Sequence, residues 1–135
     1  MNVKNAIISY LLTFIVFLMV DMLWLGIISK NLYQKYLGGF ITDKVNWTAA
    51  LIFYLLYVVG ISIFAIYPAV NKGSASNAVL MGALFGIFTY ATYDLTNLAT
   101  LKGWPLNIVF IDILWGAVLS ALVSFSGFHI VKWLN

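Results

Sequence analysis

The sequence predicts an all-α membrane protein: a bundle of four transmembrane helices with a short interfacial helix in the first loop. Three observations carry this. Of 135 residues, 64% are hydrophobic and only 8% charged, whereas a soluble domain has about 25% charged residues. Four apolar runs are each long enough for a bilayer core, which needs about 20 residues per helix. The breaks between the runs hold Gly, Pro, Ser and Asn in turn-forming order. The composition excludes both a soluble globule and a disordered chain, and the length allows a single integral-membrane domain, residues 1–135.

The spans run over Asn5–Ser29, Trp47–Tyr67, Asn77–Thr100 and Pro105–His129. The first is too long for a secretory signal core and is followed by no A-x-A-like site, so it reads as a retained helix. Between the first two, Leu32, Tyr33, Tyr36 and Leu37 share a helical face beside Lys30 and Lys35, and Gly38-Gly39 ends the pattern. This is the pattern of a short helix lying among lipid headgroups. The second span is expected to stop at Tyr67-Pro68, with Asn71-Lys72-Gly73-Ser74 turning the chain. Ser76 or Asn77 is then placed to cap the third span, and Gly103 and Pro105 bracket the last turn. Trp47, Trp104, Trp133 and Tyr67 fall at span ends, where amphipathic rings favour the interface.

All seven bases are Lys and all four acids Asp, for a net charge of +3. The lysines stand singly, so nothing resembles a nucleic-acid surface. With no Cys and one His, disulfides, Cys-based zinc sites and thiol nucleophiles are excluded, and His129 lies far from the acids. No metal and no cofactor is expected; three carboxylates with Asn97 give only a weak signal for a hard cation. Glycine-rich stretches lack the G-x-x-x-x-G-K pattern and a preceding strand, so they are packing ridges or turns. Loops one and three carry four lysines and the opposite side three, too even a count to orient the chain.

Asp43 sits in a loop, but Asp21, Asp94 and Asp112 lie inside spans. At 1.5 Å per residue they fall about 9–12 Å below the side that holds loops one and three, here called side B. A carboxylate at such depth costs about 2.5–3.5 kcal/mol, so it should face the bundle interior and find partners there. Lys30 or Lys102 could reach down toward it from side B.

Helical geometry aligns Ala78, Gly82, Gly86, Tyr90 and Asp94 in one column on the third span. Thr89, Tyr93, Thr96, Asn97 and Thr100 widen the polar face, so this side is expected to turn away from lipid. Tyr90, Tyr93 and Asn97 are the expected partners of Asp94. Span one offers Tyr10, Phe14 and Asp21 on one stripe. Span four offers Asp112 and Trp115, then Gly116, Ser120 and Ser124 as a small-residue ridge. Asp21-Met22-Leu23-Trp24 and Asp112-Ile113-Leu114-Trp115 share a D-x-L-W pattern on antiparallel helices.

The candidate binding residues are thus Asp21, Trp24, Tyr90, Tyr93, Asp94, Asn97, Asp112 and Trp115, with Asp94, Asp112 and Asp21 as candidate acid–base groups. The plainer reading makes each Asp a hydrogen-bonded rivet between helices; three acids at one depth favour a site. Three functions fit. A carrier would bind a proton, a cation or a small, mostly apolar substrate at the Asp cluster, and with so few helices would act as a homodimer. A lipid- or isoprenoid-modifying enzyme would use Asp94 or Asp112 as general acid/base. A non-catalytic scaffold subunit would use the acids for assembly. Membrane lipid is the partner common to all three.

Asp21-Met22-Leu23-Trp24-Leu25-Gly26, Tyr93-Asp94-Leu95-Thr96-Asn97-Leu98-Ala99-Thr100 and Asp112-Ile113-Leu114-Trp115-Gly116 resemble the signature segments of a family of small predicted bacterial membrane proteins known only as a domain of unknown function. The resemblance covers essentially the whole chain, including the Trp104-Pro105 turn. It implies a four-helix, multi-pass protein of the bacterial inner membrane and carries no activity with it. Size and helix count are also similar to small multidrug transporters, whose motifs this chain does not share.

Overall fold

The computed structural model describes residues 1–135, which form helices and connecting turns and no strand. Four helices are long and apolar enough to cross a membrane: α1 (Val3–Ile28), α3 (Trp47–Lys72), α4 (Ala75–Thr100) and α5 (Leu106–Leu134). A short α2 (Lys30–Leu37) joins the first two.

The caps follow the sequence locally. Asn2 accepts from the Asn5 N–H at 2.8 Å and Asn46 from the Ala49 N–H at 3.1 Å, each satisfying a helix-end donor. Ser74, rather than Ser76 or Asn77, caps α4 by accepting from the Asn77 N–H at 3.1 Å. The cap falls earlier because the preceding helix runs on past Pro68 to Lys72, and Gly73, at φ 65°, turns the chain at once. A proline inside a helix removes a donor and clashes with the carbonyl four residues back. Here a widened π-helical turn over Ser62–Ile66 immediately precedes it, and the extra residue in that turn relieves the clash.

Helix α5 is the centre of the bundle. Its broadest contact is with α4, its next with α1. The column Ala78, Gly82, Gly86 and Asp94 is buried against the ridge Gly116, Ser120 and Ser124. A Cβ on Gly86 would collide with the Gly116 carbonyl, and one on Gly82 with Ser124 and the Ser120 carbonyl. Backbones approach this closely only where side chains are absent. On α1 the buried stripe is Ser9, Thr13, Phe17 and Asp21, spaced by four; Tyr10 and Phe14 lie beside it, half-buried.

Two expectations change. Thr96 and Thr100 are exposed, although they were placed on a face turned from lipid. Their hydroxyls donate to the carbonyls of Thr92 and Thr96, and that of Thr92 to Phe88, so the helix satisfies them itself and needs no neighbour. Helix α2 exists where the pattern placed it, and its apolar side covers the bundle end. Leu37 joins Trp104, Ile108 and Val109 in a small core, with Leu32, Tyr33 and Tyr36 packed against it.

Candidate functional site

The pivot of the site is the side-B end of α1. Trp24–Ile28 forms a second π-helical turn, and the N–H and hydroxyl of Ser29 both donate to the Trp24 carbonyl at 2.8 Å. This ends α1 and swings α2 back over the bundle. Tyr33 thereby reaches Asp112, donating its hydroxyl hydrogen to the carboxylate while accepting from Trp24 Nε1 at 3.1 Å. Burial first, and Asp112 next, push the Tyr33 phenol up from its usual range, so its O–H remains a donor.

Asp94 and Asp112 lie carboxyl to carboxyl within hydrogen-bonding reach. Two carboxyls can bond this way only when one carries a proton. Asp94 is fully buried; one oxygen accepts from Trp104 Nε1 at 3.3 Å, and Oδ2 has no protein donor. Trp104 is therefore not an interfacial belt residue. It is buried between Phe40 and Tyr93, because Gly103 at φ 73° folds the chain back over the end of α4.

Asp21 stands apart from this pair. Its neighbours are the Trp115 indole and the Tyr54 hydroxyl, and the buried Trp115 N–H completes no hydrogen bond. Trp115 in turn stacks on Trp24, with centroids 4.5 Å apart and planes 9° apart. The two D-x-L-W segments thus meet head to tail. Asp21 faces the tryptophan of the other segment, and Asp112 reaches Trp24 through Tyr33.

These groups surround a cavity of about 780 Å³ on which Asp21, Asp112, Trp24, Trp115, Tyr90 and Tyr93 all open. Tyr54 and Tyr57 of α3 and Tyr33 of α2 complete its aromatic wall, with Lys30 and Gln34 also on the lining. Tyr57 is fixed by Ser120 at 2.6 Å and Thr89 at 3.1 Å. The wall is incomplete between α3 and α4. Phe53 and Tyr93 line the cavity and are nevertheless 49% and 56% exposed. Each lies about 9–11 Å along its helix from the side-B end, at hydrocarbon depth.

Several expected contacts are absent. Tyr90 and Tyr93 face the cavity and make no hydrogen bond to Asp94, whose place they cede to Trp104 and Asp112. Asn97 lies off the cavity, beside Tyr93. Lys30 and Lys102 are exposed, and no lysine stands against any of the three acids. The three carboxylates do not gather into one group able to hold a metal ion; Asp21 has Trp115 and Tyr54 beside it, while Asp94 and Asp112 have each other. Sequence reasoning passed over Tyr33, Tyr54, Tyr57 and Trp104. Only the i, i+3/i+4 spacing of Tyr54 and Tyr57, and the glycine before Trp104, hinted at them.

The chain matches no curated protein and no solved structure. Residues 6–129 match the family described as predicted membrane protein (DUF2177). The motif segments and the turn that folds Trp104 over Asp94 lie within that match, which takes in most of each apolar helix, and the chain belongs to this family of membrane proteins.

Proposed function

We propose that this protein binds a membrane-resident amphiphile in the aromatic cavity and exchanges a proton with it through the Asp94–Asp112 pair. The single observation that carries this reading is the opening between Phe53 and Tyr93. It joins a cavity walled by aromatic rings and two carboxyls to the hydrocarbon layer, where an apolar chain can enter without crossing water.

The division of labour within the pair favours a carrier over an enzyme. Only Asp112 opens on the cavity, while Asp94 is withdrawn behind it. A ligand engaging Asp112 displaces the proton that the pair shares, so binding and proton movement are linked through one contact. Intramembrane acids in such settings mark proton and ion pathways. The catalytic reading uses the same acid, with Asp112 protonating an apolar substrate in a dry pocket. As a carrier the protein would work as a homodimer, because four helices are few to enclose a path across the membrane. The bacterial inner membrane is the setting this reading assumes.

Native mass spectrometry of detergent-purified protein tests the binding. The wild-type chain should retain an amphiphile that Leu25→Trp, which fills the cavity, loses. Wild-type protein that emerges with no bound amphiphile under mild activation overturns the reading. Uptake by proteoliposomes and lipid profiles of an Asp112→Asn strain then separate carrier from enzyme.

A further inference from the structure

We infer that the polar end of the ligand is an alkylammonium group, seated between Asp21 and Asp112 against the tryptophan and tyrosine rings of the cavity; this rests on the amphiphile-binding reading above.

The acids alone would not identify a ligand, but their surroundings do. Asp21 is only 6% exposed, opens on the cavity and has only the neutral Trp115 indole and Tyr54 hydroxyl beside it. A buried carboxylate without a counter-charge is costly, and nature pairs such groups. Within the chain no lysine supplies the partner. Lys30, the one base on the lining, is exposed. The missing counter-charge must come from a proton or from the ligand.

The rest of the wall selects among cations. Eight of the sixteen lining residues are aromatic. Inorganic cations need several oxygen ligands in a shell, and the acids do not form a group that could provide one. An alkylated ammonium asks for little hydrogen bonding and is attracted to the faces of Trp and Tyr rings. Trp24 and Trp115 stack on each other and so leave one face each for a guest. Tyr54 and Tyr90 flank them on the same lining. Asp21 beside Trp115, and Asp112 joined through Tyr33 to Trp24, bring negative charge to both tryptophans of this box. The alkyl chain of the same molecule would leave through the gap between Phe53 and Tyr93.

The inference also accounts for the separation of Asp21 from the Asp94–Asp112 pair. One carboxylate holds the charge of the cation, and the pair gives up its shared proton as the cation arrives.

Two probes of equal chain length in dodecyl maltoside micelles, dodecyltrimethylammonium and dodecanol, test the head group directly. Binding is read from the fluorescence of the Trp24–Trp115 stack and from the shift in thermal unfolding. Dodecyltrimethylammonium should bind wild-type protein at least tenfold more tightly than dodecanol, with release of a proton in lightly buffered solution. Asp21→Asn should erase the preference for dodecyltrimethylammonium over dodecanol, while Asp21→Glu should restore it. Size-exclusion elution and dodecanol binding report whether each variant is folded. Should the Asn variant not fold, the wild-type preference and the Glu variant still decide the matter. Equal affinity for the two probes, or a preference that persists in a folded Asp21→Asn chain, overturns the ammonium assignment and leaves the cavity an amphiphile site. Failure of both probes to bind removes the amphiphile reading itself.

Discussion

Trp24 and Trp115 stack face to face at 4.5 Å although they lie 91 positions apart on antiparallel helices. In each segment the tryptophan follows its aspartate by three residues, toward side B on α1 and away from it on α5. Antiparallel packing therefore sets each tryptophan near the level of the other segment's acid. The stack is the hub on which the two halves of the site are joined, and it has a measurable coupling. Trp24→Leu and Trp115→Leu should each destabilise the protein, and the double variant should cost less than their sum by about 0.5–1.5 kcal/mol, the usual worth of an aromatic pair beyond its area. A double-mutant cycle by denaturant unfolding in micelles checks this; strict additivity contradicts the coupling.

Tyr33 connects both halves by donating to Asp112 and accepting from Trp24. Tyr33→Phe leaves a buried carboxylate without its donor, a loss of roughly 1–3 kcal/mol. Tyr36→Phe should be nearly silent, since Tyr36 has only an exposed contact with Asn107 at 3.5 Å. Comparing the thermal midpoints of the two variants measures the difference.

The glycines of the α4–α5 contact are not equivalent to those of the loops. Gly86→Ala forces a methyl into the Gly116 carbonyl and should cost about 1–3 kcal/mol as overpacking. Gly39→Ala, which meets nothing within 4 Å, should leave stability unchanged. Equal effects would show that the helices do not approach as described.

The exposed threonines of α4 give the opposite expectation. Thr92→Val and Thr96→Val remove hydroxyls bonded only to their own helix and should change stability by less than about 0.5 kcal/mol. Thr89→Val loses the link to Tyr57 and should be visibly destabilising in the same assay. A loss at Thr96 as large as that at Thr89 would point to a neighbour on that face.

Because the chain has no cysteine, single cysteines report the gap cleanly. Phe53→Cys and Tyr93→Cys in membranes should react with a lipid-soluble maleimide and be protected by a bound amphiphile. Leu122→Cys, exposed on α5, should react equally with and without that amphiphile. Protection at all three positions would mean the probe merely perturbs the bilayer.

Composition and periodicity were enough for the four helices, the small-residue seam of α4 and α5 and the burial of Asp21, Asp94 and Asp112. Each follows from a local rule: apolar length, a repeat of four, or the cost of a charge in hydrocarbon. The partners of the acids were not legible. Tyr33 reaches Asp112 only because a π-helical turn redirects the end of α1, and Trp104 reaches Asp94 only because Gly103 reverses the chain. Such contacts join residues whose spacing carries no repeat. The same holds for the opening between Phe53 and Tyr93, which exists because the first half of α3 packs on α1 and its second half on α4. Sequence by itself decided which groups must be hidden from lipid. Tertiary structure alone decided which of them meet, since that depends on where helices end and cross, and those angles are set by packing between segments distant in the chain.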